Sequence, residues 1–282
     1  MKIVDCFIFH DELDLLYYRM KILNNVVDYF VICESTKTFV GNDKPLLFIE
    51  NKHRFNEFAN KIVYIKVSNF SSNSKYAWDN ENCQRRHLDI GIQSLKLGDN
   101  DHVFISDLNE IPDPSVLEWI KSTDQQLDFV ACFPMDSYYY NLTTKISKSW
   151  NYAAVMSFRH YKTSCNPQEL RFTYPRRPVS SNGSRCGSGC GGGCGGGCEC
   201  GCSTPSGWHL SYFGDEEFIR NKILQFSHDV HNLQDLIDTS KIKEKVLLKH
   251  DCLDRNNIEF ITIPIKENNY LPPMYDTYLV GF

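Results

Sequence analysis

Short apolar runs alternate along the first half of the chain with segments whose apolar residues recur every three or four positions. The first pattern is typical of buried strands and the second of amphipathic helices. The predicted strands are residues 2–9, 28–33, 45–49, 62–67, the run that ends before Asp107, and 129–133; the predicted helices are residues 12–23, 79–97 and 113–121. We expect Asp79 to cap the long helix and Gly98 to end it. The alternation predicts an α/β fold with a mostly parallel central sheet and helices on both faces.

The character of the sequence changes after Pro134. Residues 138–142 and 153–159 are rich in aromatic residues and predict antiparallel additions. Residues 178–207 hold eleven of the sixteen glycines, and such a stretch cannot bury a core. We therefore predict a catalytic domain that starts in residues 1–177, is interrupted by a disordered Cys/Gly-rich insert at 178–206, and is completed in 207–282. The last part carries a helix near 215–226 and a polar C-terminal extension.

Composition narrows the class of protein. The 282 residues are 42% hydrophobic and 23% charged, which is typical of a soluble globular protein. A formal net charge of -5 provides no basic field, so we expect no nucleic-acid partner. The amino terminus is a poor signal peptide, and no run approaches the ~18 apolar residues of a membrane span. We expect a cytoplasmic protein without a membrane span.

The cysteines fall into two groups. Six of the twelve lie between positions 186 and 202, and the others are scattered singly. The clustered ones are spaced C-x₃-C and C-x-C with glycine between them, which suits a soft metal such as Zn²⁺ or Cu(I). Low-complexity expansion without a function is the alternative, and the sequence leaves both open.

A cluster of polar residues that could bind a ligand follows directly after the apolar run of residues 102–106. Asp107, Asn109 and Glu110 follow this run with no thiol or imidazole among them. The carboxyl end of such a strand is where open α/β sheets bind ligands. Hard oxygen donors suit Mg²⁺ or Mn²⁺ carrying a substrate's phosphates. The alternative is an ordinary strand end followed by a turn containing Pro112 and a new helix.

Several short motifs follow one another in a characteristic order. They are Asp5-Cys6-Phe7, Glu12-Leu13-Asp14-Leu15-Leu16, residues 31–41 with Lys44-Pro45-Leu46, Gln84-Arg85, Ser106-Asp107-Leu108-Asn109-Glu110-Ile111-Pro112, Gly207-Trp208-His209-Leu210-Ser211-Tyr212-Phe213 and Ser227-His228. This succession resembles glycosyltransferase family 17, the β-1,4-mannosyl-glycoprotein β-1,4-N-acetylglucosaminyltransferase family. No motif is specific alone; the resemblance rests on their order over residues 3–230.

The resemblance implies a GT-A-like nucleotide-sugar fold, a UDP-GlcNAc donor, a glycan acceptor, Mn²⁺ or Mg²⁺, and inversion at the anomeric carbon. The family's acidic motif usually reads Asp-x-Asp-Glu, and this chain has Asn109 at the second Asp. An amide offers one neutral oxygen, so it binds a metal less tightly than a carboxylate. The alternative function is a catalytically weakened protein that binds nucleotide sugar or glycan.

The resemblance also assigns roles to a metal and phosphate site. Asp107, Asn109 and His209 are the predicted metal ligands, with Asp107 also counted as catalytic. Arg85 is predicted to clamp the diphosphate. The alternatives are an exposed helix arginine for Arg85 and a structural histidine for His209.

Donor and acid–base roles are less constrained. Glu34, Trp208 and His228 are predicted to contact the donor, although Glu34 could be an exposed acid at a strand end and Trp208 a core residue. An inverting transfer needs a carboxylate that accepts the proton of the acceptor hydroxyl. Glu110 and Glu217 are the two candidates, and the sequence does not choose between them.

Overall fold

The computed structural model describes residues 1–68, 70, 76–124, 127–163, 166–172, 177–179, 205–225 and 233–279. The predicted Cys/Gly-rich insert lies outside the described residues except at its two ends, and so does His228. The insert's disorder and soft-metal binding therefore stay predictions, as does the division of the chain at residues 177 and 206.

The strands are β1 (Ile3–Phe9), β2 (Tyr29–Ser35), β3 (Ile62–Val67), β4 (His102–Asp107), β5 (Glu110–Pro112), β6 (Ala131–Cys132), β7 (Asp136–Tyr139), β8 (Thr144–Ile146), β9 (Ala154–Ser157), β10 (Arg177–Pro178), β11 (Gly207–Ser211) and β12 (Phe260–Thr262). The helices are α1 (Leu13–Leu23), α2 (Leu47–Glu50), α3 (Ala77–Arg86), α4 (Leu88–Ser94), α5 (Pro114–Ser122), α6 (Phe158–Thr163), α7 (Pro167–Phe172), α8 (Glu216–Gln225), α9 (Leu233–Leu236), α10 (Thr239–Leu248) and α11 (Tyr275–Tyr278), with 3₁₀ segments at Lys52–Lys61 and Ile265–Glu267. No helix in these ranges is both long and apolar enough to cross a membrane.

The central sheet has the strand order β10-β6-β9-β4-β1-β2-β3. Neighbouring strands from β3 to β4 are parallel, and β9 runs antiparallel between β4 and β6. The predicted mostly parallel sheet is therefore confirmed. The chain leaves β1 toward β2 on one side and later returns to place β4 on the other. This reversal is a switch point, and its crevice at the carboxyl ends of β1 and β4 is where such sheets bind ligands.

Helices cover both faces of the central sheet, as predicted for an α/β fold. One core joins Phe7 and Phe104 of the sheet to α1 and α5, and the other joins Val4 and Ile105 to α4, α6 and α7. Alternation along β1 explains this, because successive side chains point to opposite faces. Helix α4 approaches the sheet closely at Gly91, where a Cβ would lie 2.4 Å from a methyl carbon of Val31.

A second sheet has the order β12-β8-β7-β11-β5. Helix α1 separates the two sheets, since Leu16 and Met20 pack on the central core while Leu15 and Tyr18 join the core of the second sheet. The antiparallel pairing of β7 with β8 agrees with the predicted aromatic additions, but β11 pairs parallel with β7. The polar C-terminal part also contributes, because β12 pairs with β8.

Four local predictions are wrong, and one of them is the helix end at Gly98, since α4 ends at Ser94 with Leu95 as its C-cap. Residues 47–50 form the short helix α2 where a strand was predicted at 45–49, since an apolar run this short does not distinguish the two by periodicity. The predicted helix 79–97 is two helices that meet at His87, whose ring Nδ1 contacts the Cys83 carbonyl. Tyr76 rather than Asp79 is the N-cap, and Asp79 lies in the first turn, where a carboxylate favours the helix dipole.

Candidate active site

A pocket lies at the switch point between β1 and β4. It is a cleft with about 560 Å³ of empty space, a volume that includes its part open to solvent. Residues 8–12 line it from the end of β1 and residues 107–109 from the turn after β4. Phe39, Glu81 of α3, and Lys222 and Gln225 of α8 complete its described walls. The pocket thus brings two of the predicted metal ligands, Asp107 and Asn109, to the place where a nucleotide sugar is expected.

Two arginines hold the carboxylate of Asp107. Arg85 Nη2 donates to Oδ1 at 2.9 Å and Arg171 Nη2 donates to Oδ2 at 2.6 Å. Burial alone would raise the pKa of this carboxyl, but Arg171 and Arg85 lower it to about 2. Asp107 is therefore ionised at neutral pH and fixed in orientation. Arg85 is itself fully buried, so it is not the exposed helix arginine of the alternative interpretation.

Glu110 lies behind this carboxylate, fully buried. Arg171 donates to both of its oxygens, at 2.6 and 2.5 Å, and Trp150 Nε1 donates to Oε1 at 2.5 Å. The Asp107 backbone N–H donates to Oε2 at 2.9 Å. Each oxygen of Glu110 accepts two hydrogen bonds and the side chain does not line the pocket, so this geometry suits the positioning of Arg171 better than proton transfer.

A second buried arginine holds the turn that carries the motif. Arg19 of α1 makes a bidentate ion pair with Asp5 at 2.9 and 2.6 Å. Its Nη1 donates to the carbonyls of Asp107, Leu108 and Glu110 at 2.8 to 2.9 Å, and its Nη2 to the Ser106 hydroxyl at 2.7 Å. An arginine has five N–H donors, and here all are engaged. Arg19 thus ties the turn of residues 107–110 to β1 and α1.

His209 is buried on β11, in register with Glu110 of β5. Its Nδ1 lies 2.9 Å from the Ser137 hydroxyl, its Nε2 lies 3.0 Å from the Ser211 hydroxyl, and its ring stacks on Trp150 at 4.1 Å. Burial lowers the pKa of this imidazole to about 3, against the opposing charge of Asp107. The ring is therefore neutral and lies near Asp107, although it does not line the pocket.

This environment predicts an acid-dependent loss of stability. The folded protein keeps His209 neutral to about pH 3, whereas an unfolded chain protonates histidine near pH 6.5. The unfolded state then binds more protons between these values, so the stabilisation is complete above pH 6.5 and declines as the pH falls. Between pH 6.5 and 5.0 we expect this one group to remove about 1–2 kcal/mol from the free energy of unfolding.

Denaturant unfolding in EDTA at both pH values tests the prediction. The His209→Gln variant should lose less stability than wild type across this interval, while His53→Gln, at an exposed position, should keep the wild-type loss. Equal losses in His209→Gln and wild type would contradict a buried neutral imidazole at position 209.

The structure places the other predicted residues away from the pocket. Glu34 is fully buried and accepts from Lys44 at 3.1 Å, the Phe48 N–H at 3.3 Å and Tyr64 at 2.9 Å. Trp208 lies in the core of the second sheet, stacked on Tyr270 at 4.8 Å, as in the core interpretation. Glu217 is exposed on α8 and pairs with Arg220 at 3.2 Å. None of the three lines the pocket.

Sequence reasoning missed Arg19, Arg171, Trp150 and Lys222. Asp5 indicated that a basic partner such as Arg19 exists. It falls on the same face of β1 as the buried Ile3 and Phe7, and a buried carboxylate requires a partner. The other three come from separate parts of the chain and show no local pattern that marks them.

The donor set of the pocket suits a hard cation. Within the described part of the chain no group of three His, Cys, Asp or Glu side chains is arranged to hold a metal ion. Mg²⁺ sites that carry phosphates, however, commonly use one or two protein oxygens and take the remaining ligands from substrate and water. Asp107 and Asn109 supply two such side chains at the pocket wall, so the residues present fit this mode of binding.

Comparison with known proteins bears on the family of the chain. The model for glycosyltransferase family 17 matches residues 1–170. The β-1,4-mannosyl-glycoprotein 4-β-N-acetylglucosaminyltransferases of Rattus norvegicus and Homo sapiens are each 32% identical over 116 residues. Each match covers 39% of this chain and only 22% of the relative's length.

Among solved structures, glucosyl-3-phosphoglycerate synthase from Mycobacterium tuberculosis, in complex with Mn²⁺, UDP-glucose and glycerol 3-phosphate, is 12% identical with a TM-score of 0.26. The likeness covers 49% of this chain and 44% of that one. The family match spans well over half of the chain and includes β1, α3 and the Asp107 motif, which confirms the resemblance predicted from the sequence motifs. The chain belongs to glycosyltransferase family 17.

Proposed function

We propose that this protein is an inverting, divalent-metal-dependent glycosyltransferase that transfers N-acetylglucosamine from UDP-GlcNAc to a glycan acceptor. The observation that carries the proposal is the position of Asp107 and Asn109 in a pocket at the sheet's switch point. The relatives named for N-acetylglucosaminyl transfer support the choice of donor sugar.

Asp107 and Asn109 are the residues that would hold Mn²⁺ or Mg²⁺, with His209 as the third predicted ligand. A divalent ion in this place would neutralise the charge that grows on the leaving diphosphate. His209 could join only by giving up its contact with the Ser137 or the Ser211 hydroxyl, because both ring nitrogens are engaged. Asp107 and Asn109 are therefore the principal ligands in this proposal.

The side chains around the pocket prepare Asp107 for this role. Arg85 and Arg171 keep its carboxylate ionised and fixed in orientation. Arg19 fixes the turn of residues 107–110 through its backbone carbonyls. Such preorganised charge stabilises the transition state without further rearrangement of the protein. In that state the bond between the sugar and the diphosphate breaks and the sugar becomes oxocarbenium-like. Glu110 and Glu217 stay the predicted proton acceptors, although neither lines the pocket in this structure.

Turnover of a panel of nucleotide sugars tests the proposal. Purified protein with Mn²⁺ is expected to release the nucleoside diphosphate faster from UDP-GlcNAc than from UDP-glucose, UDP-galactose or GDP-mannose, and EDTA is expected to abolish release. Turnover of another nucleotide sugar alone would overturn the donor assignment. Undiminished turnover in EDTA would overturn the metal dependence.

Replacement of Asn109 by aspartate is expected to tighten Mn²⁺ binding about tenfold, since affinity at oxygen sites follows ligand charge. Titration of Mn²⁺ in the presence of UDP measures this. The matched control is Asn100→Asp, which adds the same charge at an exposed position before the amino end of β4.

The same variant separates the two functions that the sequence allows. A wild-type enzyme that is already active excludes the binding-only alternative. Activity that arises only in Asn109→Asp would instead support a nucleotide-sugar or glycan-binding protein. Equal Mn²⁺ affinity of wild type and Asn109→Asp would contradict a metal ligand at this position.

A further inference from the structure

Helix α8 closes one side of the pocket against the end of β1. Lys222 Nζ donates to Glu12 Oε1 at 3.0 Å, and Gln225 contacts the ring of His10. The side chains of Lys222 and Glu12 are only 11% and 13% exposed. All four residues line the pocket, so α8 brings an ammonium group to the pocket that Asp107 also lines.

The pocket wall is strongly acidic. Asp11, Glu12, Glu81 and Asp107 line it, and burial together with the charge of Glu12 raises the pKa of Asp11. Among the described lining residues, Lys222 is the one lysine or arginine. The guanidiniums of Arg85 and Arg171 lie behind the wall, committed to Asp107, Glu81 and Glu110. Within the described walls, Lys222 is therefore the lysine that a diphosphate entering this pocket would meet directly.

The environment of Lys222 holds its ammonium group at the pocket wall, beside Glu12. Its Nζ lies over the rings of Tyr212 and Phe218, 6.0 and 5.7 Å from the ring centroids. An ammonium carries three N–H donors, so pairing with a phosphate oxygen does not require it to give up Glu12. Lysine is also a common point-charge ligand for phosphates.

We propose that Lys222 binds the diphosphate of the nucleotide sugar and stabilises the charge that develops on it as the sugar leaves. The inference rests on the proposed function, because it concerns the same pocket. The inference places the cationic contact, which residues 107–109 do not provide, on helix α8. This helix lies beyond the region matched by the family model. Charge that grows during the reaction strengthens this contact in the transition state.

Calorimetric binding of UDP and of uridine to the full chain tests the inference, first in EDTA and then with Mn²⁺. Lys222→Met is expected to weaken UDP binding about 10- to 100-fold and to leave uridine within twofold, because only UDP carries the diphosphate. Lys222→Arg should stay within about fivefold of wild type, since it keeps the charge. Arg220→Met is the matched control, because Arg220 lies on the same helix, is 40% exposed and pairs with Glu217.

The outcomes separate the inference from the proposed function. UDP binding to Lys222→Met at wild-type affinity would overturn the role of Lys222 and leave the proposed function standing. Equal weakening of UDP and uridine would overturn it as well, because that result indicates a distorted pocket. Failure of wild-type protein to bind UDP, with or without Mn²⁺, would overturn the proposed function itself.

Discussion

Replacement of Arg19 by methionine is expected to lower the free energy of unfolding by about 3–5 kcal/mol, the cost of removing one partner of a buried ion pair. Arg19 is fully buried, and its loss leaves the Asp5 carboxylate unpaired between the central sheet and α1. The carbonyls of Asp107, Leu108 and Glu110 would lose a common donor at the same time. Denaturant unfolding at neutral pH measures the change.

Two further variants identify the cause. Lys21→Met, on the same helix, removes an exposed pair with Glu57 and is expected to change stability little. Adding Asp5→Val to Arg19→Met should recover part of the lost stability, because the unpaired charge is gone. The double variant should still bind UDP weakly, since the turn after β4 lacks its donor. Equal effects of Arg19→Met and Lys21→Met would contradict the role of Arg19.

Replacement of Asp107 by asparagine is expected to reduce turnover of UDP-GlcNAc about 100-fold or more while the protein stays folded. The variant removes the carboxylate proposed to hold the metal. Both buried arginines keep an acidic partner in this variant, since Arg171 still pairs with Glu110 and Arg85 with Glu81. Loss of activity should therefore exceed any loss of stability, and parallel turnover and unfolding measurements check this.

The matched control is Asp99→Asn, just before the amino end of β4 and far along the strand from the pocket. Asp99 is exposed and pairs with Lys162 at 2.5 Å, so its replacement should leave turnover unchanged. Activity of Asp107→Asn within a few-fold of wild type, with the protein folded, would contradict a catalytic role for this carboxylate.

Periodicity predicted the parts of the fold that depend on local pattern. The apolar run of β1, the helical face of α1 and the acidic residues at the end of β4 are all visible in consecutive residues, and the structure has each of them. The position of Asp107 at a switch point depends on the order of the strands in the sheet. The α/β alternation limits the possible strand orders but does not select one. The Asp113 cap of α5 was also predictable, because Asp-Pro is a strong helix start.

The rest of the site depends on contacts between distant parts of the chain. Arg171 reaches Asp107 across 64 residues, and Trp150 reaches Glu110 across 40. Neither residue lies in a motif, so only the packed structure brings it to the acidic cluster. Glu34 illustrates the opposite situation. Its position at the end of a strand suggested a contact with the ligand, but in the fold three donors already bind its carboxylate.

Thermal unfolding with nucleotide sugars tests the central claim, that Asp107 and the end of β1 form a pocket for a nucleotide diphosphate sugar. A ligand that binds only the folded protein stabilises it by about 2.7 kcal/mol at 100 times its dissociation constant. We predict that UDP-GlcNAc with Mn²⁺ raises the unfolding temperature of wild-type protein and leaves Asp107→Asn unchanged. The absence of protection of the wild type by any nucleotide sugar, or equal protection of both proteins, would contradict the account.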